Sequence, residues 1–243
     1  MKRLALAALM ACASHAALAG DGSHWTYAGE EGPNQWAKLT PDNYACAGKN
    51  QSPVDLKGTI HAALKPLKME YQAGGTEVLN NGHTLQVGFT RGSALWLDGE
   101  RFELKQYHFH APSENLINGQ SYPLEVHLVH ADEKGNLAVV AVMFKEGSEN
   151  KALKALWPQL PKDAGAKNPL AAPVTAAALL PAEHSYYRFS GSLTTPPCSE
   201  GVRWLVMKAP VTVSREQVDA FSELIHHPNN RPVQALNGRI IVE

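Results

Sequence analysis

Long apolar runs are missing from this sequence. A helix crossing a bilayer takes about 20 apolar residues, and the run at Leu4–Ala13 falls well short of that. An excess of either charge is missing too: 22 Lys and Arg stand against 23 Asp and Glu, a net of −1. A surface built to neutralise nucleic-acid phosphates is therefore excluded, and no acidic block marks a solvated tail. Cysteine is scarce, at three in 243 residues, so the chain is not a disulfide scaffold. At this length it can bury a core without one. No repeat of fixed period occurs, and the only biased tract is the Ala-rich stretch Leu170–Pro181. What is present is globular composition, 44% hydrophobic and 19% charged. The 16 Pro and 19 Gly are scattered, which predicts an ordered chain rich in loops. No linker divides it. Nothing in the sequence decides between a monomer and a homodimer.

The N-terminus reads as an export signal. Lys2 and Arg3 form a positive start, Leu4–Ala13 the apolar region, and Ala17-Leu18-Ala19 a small-residue cleavage site before Gly20. The reading predicts a signal peptide over residues 1–19, one domain over 20–243, and a periplasmic location. Leu9-Met10-Ala11-Cys12 offers a second possibility, a lipoprotein box with Cys12 as the anchor, although the apolar run before it would be very short. Cleavage after Ala19 removes Cys12 and leaves Cys46 and Cys198. In an oxidising compartment two remaining cysteines predict one disulfide, against the alternative of two buried thiols.

Strands dominate the pattern. Thr76–Val78, Thr84–Phe89, Ala94–Leu97, Phe102–His110, Glu125–His130, Leu137–Lys145, Ser185–Phe189, Val202–Lys208 and Arg239–Val242 are short, rich in β-branched or aromatic residues, and bounded by turn formers. Asn80-Asn81-Gly82, Asp98-Gly99 and Lys134-Gly135-Asn136 are hairpin turns. Two short helices are predicted, Ser148–Trp157, stopped by Pro158, and Ser214–Ile225, opened by a Ser214 to Gln217 capping box. The fold expected is mainly β: a large, mostly antiparallel sheet with a few short peripheral helices.

One group of residues carries chemistry. In Gln106-Tyr107-His108-Phe109-His110 the two histidines share a strand face. In Glu125-Val126-His127-Leu128-Val129-His130 the residues Glu125, His127 and Val129 share one face and His130 takes the other. On neighbouring strands about 4.8 Å apart, His108, His110 and His127 converge. Three neutral imidazoles suit zinc and leave its fourth position open. Neutral ligands also preserve the full charge of the ion. A lone His-x-His on a strand is more often packing or a solvated pair; the third histidine in phase tips the reading toward a metal. His130 reads as a core histidine with a satisfied hydrogen bond. His226 and His227 read as an exposed loop, His15 lies in the signal, and His24, His61 and His184 have no evident partner.

These residues sit inside a longer series. His24-Trp25-Thr26-Tyr27, Gly32-Pro33 with Trp36, Gln51-Ser52-Pro53-Val54 and Asn81-Gly82-His83 precede the histidine segments. Pro112-Ser113-Glu114, Gly191-Ser192-Leu193-Thr194-Thr195-Pro196-Pro197-Cys198 and Asn230-Arg231-Pro232 with Gln234 complete it. In this order they resemble an α-class carbonic anhydrase of the bacterial exported type, over nearly all of the chain beyond residue 19. The resemblance implies reversible hydration of CO2 to bicarbonate and a proton, by attack of a zinc-bound hydroxide. It implies Zn2+ on His108, His110 and His127, with Gln106 and Glu125 accepting hydrogen bonds from ligand imidazoles. Thr194 matches the hydroxyl that orients the nucleophile and donates to an ionised Glu114. Val129, Val139, Leu193 and Trp204 match the apolar wall where CO2 rests, with Thr194 and Thr195 beside it; by pattern alone these are ordinary core. His83 matches the proton shuttle at the cavity mouth, and Cys46 with Cys198 the disulfide that braces the Thr194 loop. The partner implied is a small molecule, CO2 or bicarbonate.

Two positions depart from the family pattern: Asn115, where relatives often carry His, and Ala235, where they often carry Pro. The first falls in the hydrogen-bond network behind the ligands and predicts tuning rather than loss of activity. The second predicts at most an effect on a surface-proximal loop. Two other readings fit part of the pattern. His108-x-His110-x3-Glu114 imitates the first motif of a cupin-like metal protein, which would make Glu114 a ligand and favour iron or manganese. A non-catalytic binding domain could also share the fold, although His108, His110, His127, Thr194 and Glu114 are all present.

Overall fold

The structure, a computed structural model, describes residues 24–243. The predicted leader, its cleavage site and Cys12 lie outside the described residues. The strands are β1 Asp55–Leu56, β2 Lys68–Glu70, β3 Gly75–Asn80, β4 Leu85–Phe89, β5 Ala94–Leu97, β6 Glu100–His110 and β7 Leu116–Ile117. They continue with β8 Leu124–Ala131, β9 Leu137–Glu146, β10 Lys167–Val174, β11 Tyr186–Ser192, β12 Glu200–Met207 and β13 Val211–Val213. The α-helices are α1 Trp36–Leu39, α2 Lys151–Leu156 and α3 Arg215–Ile225. Eleven strands form one sheet in the order β10-β3-β4-β6-β8-β9-β12-β11, with β5 and β2 continuing from β6 and β13 lying beside β9. Most pairs are antiparallel, as expected; β12 and β13 run parallel to β9.

Alternation along the central strands separates two cores. Phe109 of β6, Leu124, Val126 and Leu128 of β8, Val140, Val142 and Phe144 of β9, and Leu205 of β12 face one way. They pack against Leu153 and Leu156 of α2 and Phe221 and Ile225 of α3. The alternate residues Val139, Ala141, Met143, Trp204 and Val206 form a second core on the opposite face, with Val129 and Leu193 packed against it. His108, His110, Glu125 and His127 belong to that second face, so the candidate ligands lie on the side of the sheet away from α2 and α3. β9 is buried on both faces over most of its length, which explains its continuous apolar run.

Several boundaries shift. Asn150 caps α2 by accepting from the N–H groups of Ala152 and Leu153, so the helix begins later than the Ser148 predicted. The Ser214–Gln217 capping box forms as predicted. Arg239–Val242 does not form a strand. Only Val242 makes bridges, to Ile60 and Arg188, while the Arg239 guanidinium is occupied by the carbonyls of Gln51, Ser190, Ala235 and Leu236. The short strands β1, β2, β7 and β13 and the edge strand β10 were not expected. No helix among the described residues is long and apolar enough to cross a membrane.

Candidate active site

β6 and β8 pair with His108 directly opposite His127 and His110 opposite Glu125. The phase read from the sequence is therefore met across the strand pair. The ring centroids of His108, His110 and His127 lie 4.5–5.3 Å apart, and one nitrogen from each falls within 4.8 Å of the other two. The second nitrogen of each ring is held from behind. Nδ1 of His108 lies 2.8 Å from Oε1 of Gln106, and Nδ1 of His110 lies 2.7 Å from the Asn229 carbonyl. Nε2 of His127 lies 3.0 Å from Oε1 of Glu125, off the line of a good hydrogen bond. An acceptor behind a ring places the proton on that nitrogen and turns the other lone pair inward. The inward set is thus Nε2 of His108, Nε2 of His110 and Nδ1 of His127.

Burial and neighbouring imidazoles hold His108 and His127 well below the usual histidine range, and burial lowers His110 as well. All three are neutral at pH 7, the form in which imidazole binds a metal. The inward Nε2 of His110 is buried without a hydrogen-bond partner, and so is Oε2 of Glu114. A converging set of neutral imidazoles with an orphaned inward lone pair fits a small divalent ion of borderline softness.

Behind the ligands, Glu125 is buried and accepts from the N–H groups of Glu114 at 2.7 Å and Asn115 at 2.9 Å. Asn115 also donates its Nδ2 to Oε1 of Glu125 at 2.8 Å and accepts from the Val54 N–H at 3.1 Å. The departure at Asn115 therefore leaves this network hydrogen-bonded on both sides of its amide. Glu114 takes the Arg231 N–H on Oε1 at 2.8 Å and aims Oε2 at the pair His110 Nε2, 3.5 Å away, and His127 Nδ1, 3.9 Å away. Burial raises its carboxyl well above the usual range; the Arg231 N–H and the nearby Thr194 hydroxyl act in the opposite sense. Burial raises Glu125 too, opposed first by Asn115.

Trp204 meets His127 edge-on, with centroids 4.9 Å apart, and belongs to the same apolar cluster as Val129, Val139 and Leu193. Thr194 is buried, and the carbonyl of Thr195 accepts from the Cys198 N–H at 2.8 Å. Cys198 is bonded to Cys46, closing a separation of 152 residues. His83 is half-buried and stacks on Trp25 at 3.7 Å. Ala235 is exposed, as its expected surface-proximal place requires. His24 does find a partner, Oε2 of Glu31 at 2.7 Å.

Two participants were not foreseen. Asn229 orients His110 through its main-chain carbonyl, which every residue type possesses, so no side-chain signal could single it out. Arg231 belongs to the Asn230-Arg231-Pro232 motif, which by itself assigns it no role. Its buried guanidinium bonds Gln51, the Ser52 carbonyl and the Cys46 carbonyl, and it lies over Trp36 at 5.4 Å. It therefore joins the disulfide to the backbone that holds Glu114.

Comparison with known proteins supplies the family. Residues 31–243 match the family described as eukaryotic-type carbonic anhydrase. The chain belongs to the α-carbonic anhydrases. A carbonic anhydrase of Pectobacterium atrosepticum is 50% identical over 236 residues, covering 97% of each chain. A carbonic anhydrase of Neisseria gonorrhoeae is 43% identical over 246 residues, covering 100% of this chain and 97% of its own. Among solved structures, the α-carbonic anhydrase of Thermovibrio ammonificans in complex with the inhibitor sulfanilamide superposes with a TM-score of 0.90. It is 48% identical and covers 91% of this chain and 100% of its own. The cupin-like alternative falls with this fold and family. Carbonic anhydrase activity is what relatives and structural neighbours share with this enzyme.

Proposed function

We propose that the enzyme hydrates CO2 reversibly to bicarbonate and a proton, with zinc held by Nε2 of His108, Nε2 of His110 and Nδ1 of His127. The observation that carries this reading is the convergence of three neutral imidazole lone pairs, each ring backed by an acceptor on its other nitrogen. Zinc bound there supplies the Lewis acidity that makes water a nucleophile near neutral pH, the established behaviour of carbonic anhydrases. The chain's own groups do the rest. Thr194 orients the attacking oxygen, accepting from it and donating onward to Glu114, so that a lone pair faces the carbon. With Oε1 taken by the Arg231 N–H, Glu114 offers Thr194 a second oxygen free of its own proton when the carboxyl is ionised, the form those two donors favour and burial opposes. Val129, Val139, Leu193 and Trp204 hold a neutral, linear substrate without a charged grip, and Thr195 borders them. Gln106, Glu125 and the Asn229 carbonyl keep the imidazoles in register. His83 carries the released proton away from the site.

The same scaffold without catalysis is the second reading, and the complete set of three histidines with Thr194 and Glu114 speaks against it. A periplasmic location is supported by the Cys46–Cys198 disulfide and by the bacterial relatives. The decisive experiment measures zinc content and CO2 hydration together on the purified mature chain, with and without a sulfonamide. One zinc per chain and sulfonamide-sensitive hydration are expected. A zinc-loaded protein that does not hydrate CO2 would return the chain to the binding-domain reading.

A further inference from the structure

The loop after α3 is held at both ends, although its histidines read as idle. α3 stops on His226 in the left-handed conformation at φ 66°, and the His226 N–H donates to the Ser222 carbonyl at 2.9 Å. Two residues past His227, Asn229 is fully buried, and all its side-chain polar atoms are bonded. Its Nδ2 donates to the carbonyls of His83 and Phe109, both at 2.9 Å, and its Oδ1 accepts from the Ala111 N–H at 2.8 Å. Its carbonyl holds His110. One residue thus fixes the His83 backbone and the His227 loop to the same ligand strand.

Between those anchors His227 is exposed. Its ring lies 5.9 Å from Tyr27, whose ring lies 6.4 Å from His83. His83 lies flat on Trp25, at an interplanar angle of 9°. Nδ1 of His227 sits 3.1 Å from the Pro228 carbonyl, which assigns the N–H to Nδ1 and leaves Nε2 as the accepting nitrogen. Among the described residues, the side chains packed around the pair place no carboxylate against either ring. Tyr27 is kept neutral by burial and by Glu114, His24 is engaged by Glu31, and His226 adjoins His227 in the chain.

We propose that His83 and His227 form a two-step proton relay, His83 the inner and His227 the outer member. This rests on the activity proposed above. The proton released in hydration passes to His83. The His83 imidazolium gives it up to water between the two rings that flank Tyr27, Nε2 of His227 takes a proton from that water, and His227 then releases it to solvent or buffer, both rings returning neutral. The step moves one proton and needs no other reactant. His83 by itself is a poor terminus. Burial, helped by His227 and His24, pulls its imidazole down to about 4, so a proton arriving there is weakly held and quickly passed on. The exposed His227, with Nε2 left to accept, is placed to receive it.

The test combines kinetics with NMR titration of the metal-loaded enzyme. His227→Ala should lower kcat several-fold in dilute buffer and hold kcat/KM, because CO2 attack does not involve this ring. Added imidazole should restore the loss. The double variant His83→Ala/His227→Ala should be no slower than His83→Ala, as members acting in series require. In the titration, the His83 ring should shift upward when His227 is removed, a readout independent of turnover. An unchanged kcat, losses that multiply in the double variant, a parallel fall of kcat/KM or an unmoved His83 titration each overturns the relay. Absence of CO2 hydration in the wild-type enzyme would sink the proposed activity and the relay together, which sets that failure apart from the others.

Discussion

His108, His110 and His127 are backed by three different kinds of acceptor: an amide oxygen, a main-chain carbonyl and a carboxylate. Only the first can be removed without touching the backbone or the buried acid network around Glu114. Gln106→Ala frees His108 to rotate and to change tautomer, and outer partners of this kind are worth about 10–100-fold in metal affinity. Zinc retention against a chelator should fall by that order, while His127→Ala loses most of the metal outright. Retention unchanged in Gln106→Ala would mean that the ring is held by packing alone. Thr194 is hydrogen-bonded to Glu114 and backs none of the three rings. Thr194→Ala should therefore keep zinc and lose about 10²–10³ in kcat/KM, the usual cost of one positioned hydrogen bond at the reacting centre. A variant that kept full activity would remove Thr194 from the orienting role.

The elements explain why so much of this site could be read in advance. A strand repeats every two residues, so the His108/His110 pair and the in-phase His127 needed only adjacent strands to meet. The β6–β8 register supplies that with a shift confined to the stretch between Leu104 and Gln106, before the histidines. The Ser214–Gln217 box marked the start of α3 because its signal is local. Nonlocal features were harder. β10 is an edge strand carrying Pro169 and Pro173, residues that argue against a strand except at an edge. β2 and β13 are three residues long and exist only through their neighbours. The failed strand at Arg239–Val242 has strand-like composition, but its position beside Arg239's carbonyl contacts leaves only one residue to pair. The Leu193–Ser199 loop is also an element of a kind, and the Cys46–Cys198 bond fixes its far end next to Arg231. Cys46→Ser should cost about 2–5 kcal/mol of stability. It should also lower kcat/KM, because the loop carries Thr194. Denaturant unfolding and hydration assays on the same sample check both, and a stability loss with full activity would show the loop to be positioned without the bond.

At the scale of the whole molecule, the sheet separates the face carrying the candidate site from a helix-covered core, and a buried histidine lies on the core side. His130 points into the α2–α3 side, fully buried, with Nε2 2.8 Å from the Tyr71 hydroxyl and Nδ1 3.2 Å from the Ala138 carbonyl. Burial pushes Tyr71 up, so its neutral hydroxyl donates to Nε2, and Nδ1–H donates to Ala138. This is the satisfied core histidine that its out-of-phase position predicts. Burial pulls it from 6.5 down to about 4, against the smaller effect of the carbonyls of Ala138 and Leu128. The folded protein therefore holds His130 neutral over a range in which the unfolded chain protonates it. Its contribution to stability is complete above pH 6.5 and shrinks as the pH falls from there toward 4. The sign follows because the unfolded state binds more protons in that window. The loss amounts to about 2 kcal/mol by pH 5 and about 3 kcal/mol once the pH is below 4. Carboxylates add their own losses at the acid end, among them Asp98, whose carboxyl Arg188 holds below the usual range. The informative quantity is therefore a difference. Urea unfolding of the wild-type enzyme and of His130→Gln, at pH 7.5 and pH 5, should show the wild type losing more stability on acidification by about 2 kcal/mol. His130→Gln starts less stable at pH 7.5, because its amide repeats the Tyr71 and Ala138 bonds imperfectly. Equal losses in the two proteins would mean that His130 is protonated in the folded state or shielded by movement of Tyr71, and that acid sensitivity is set on the carboxylates alone.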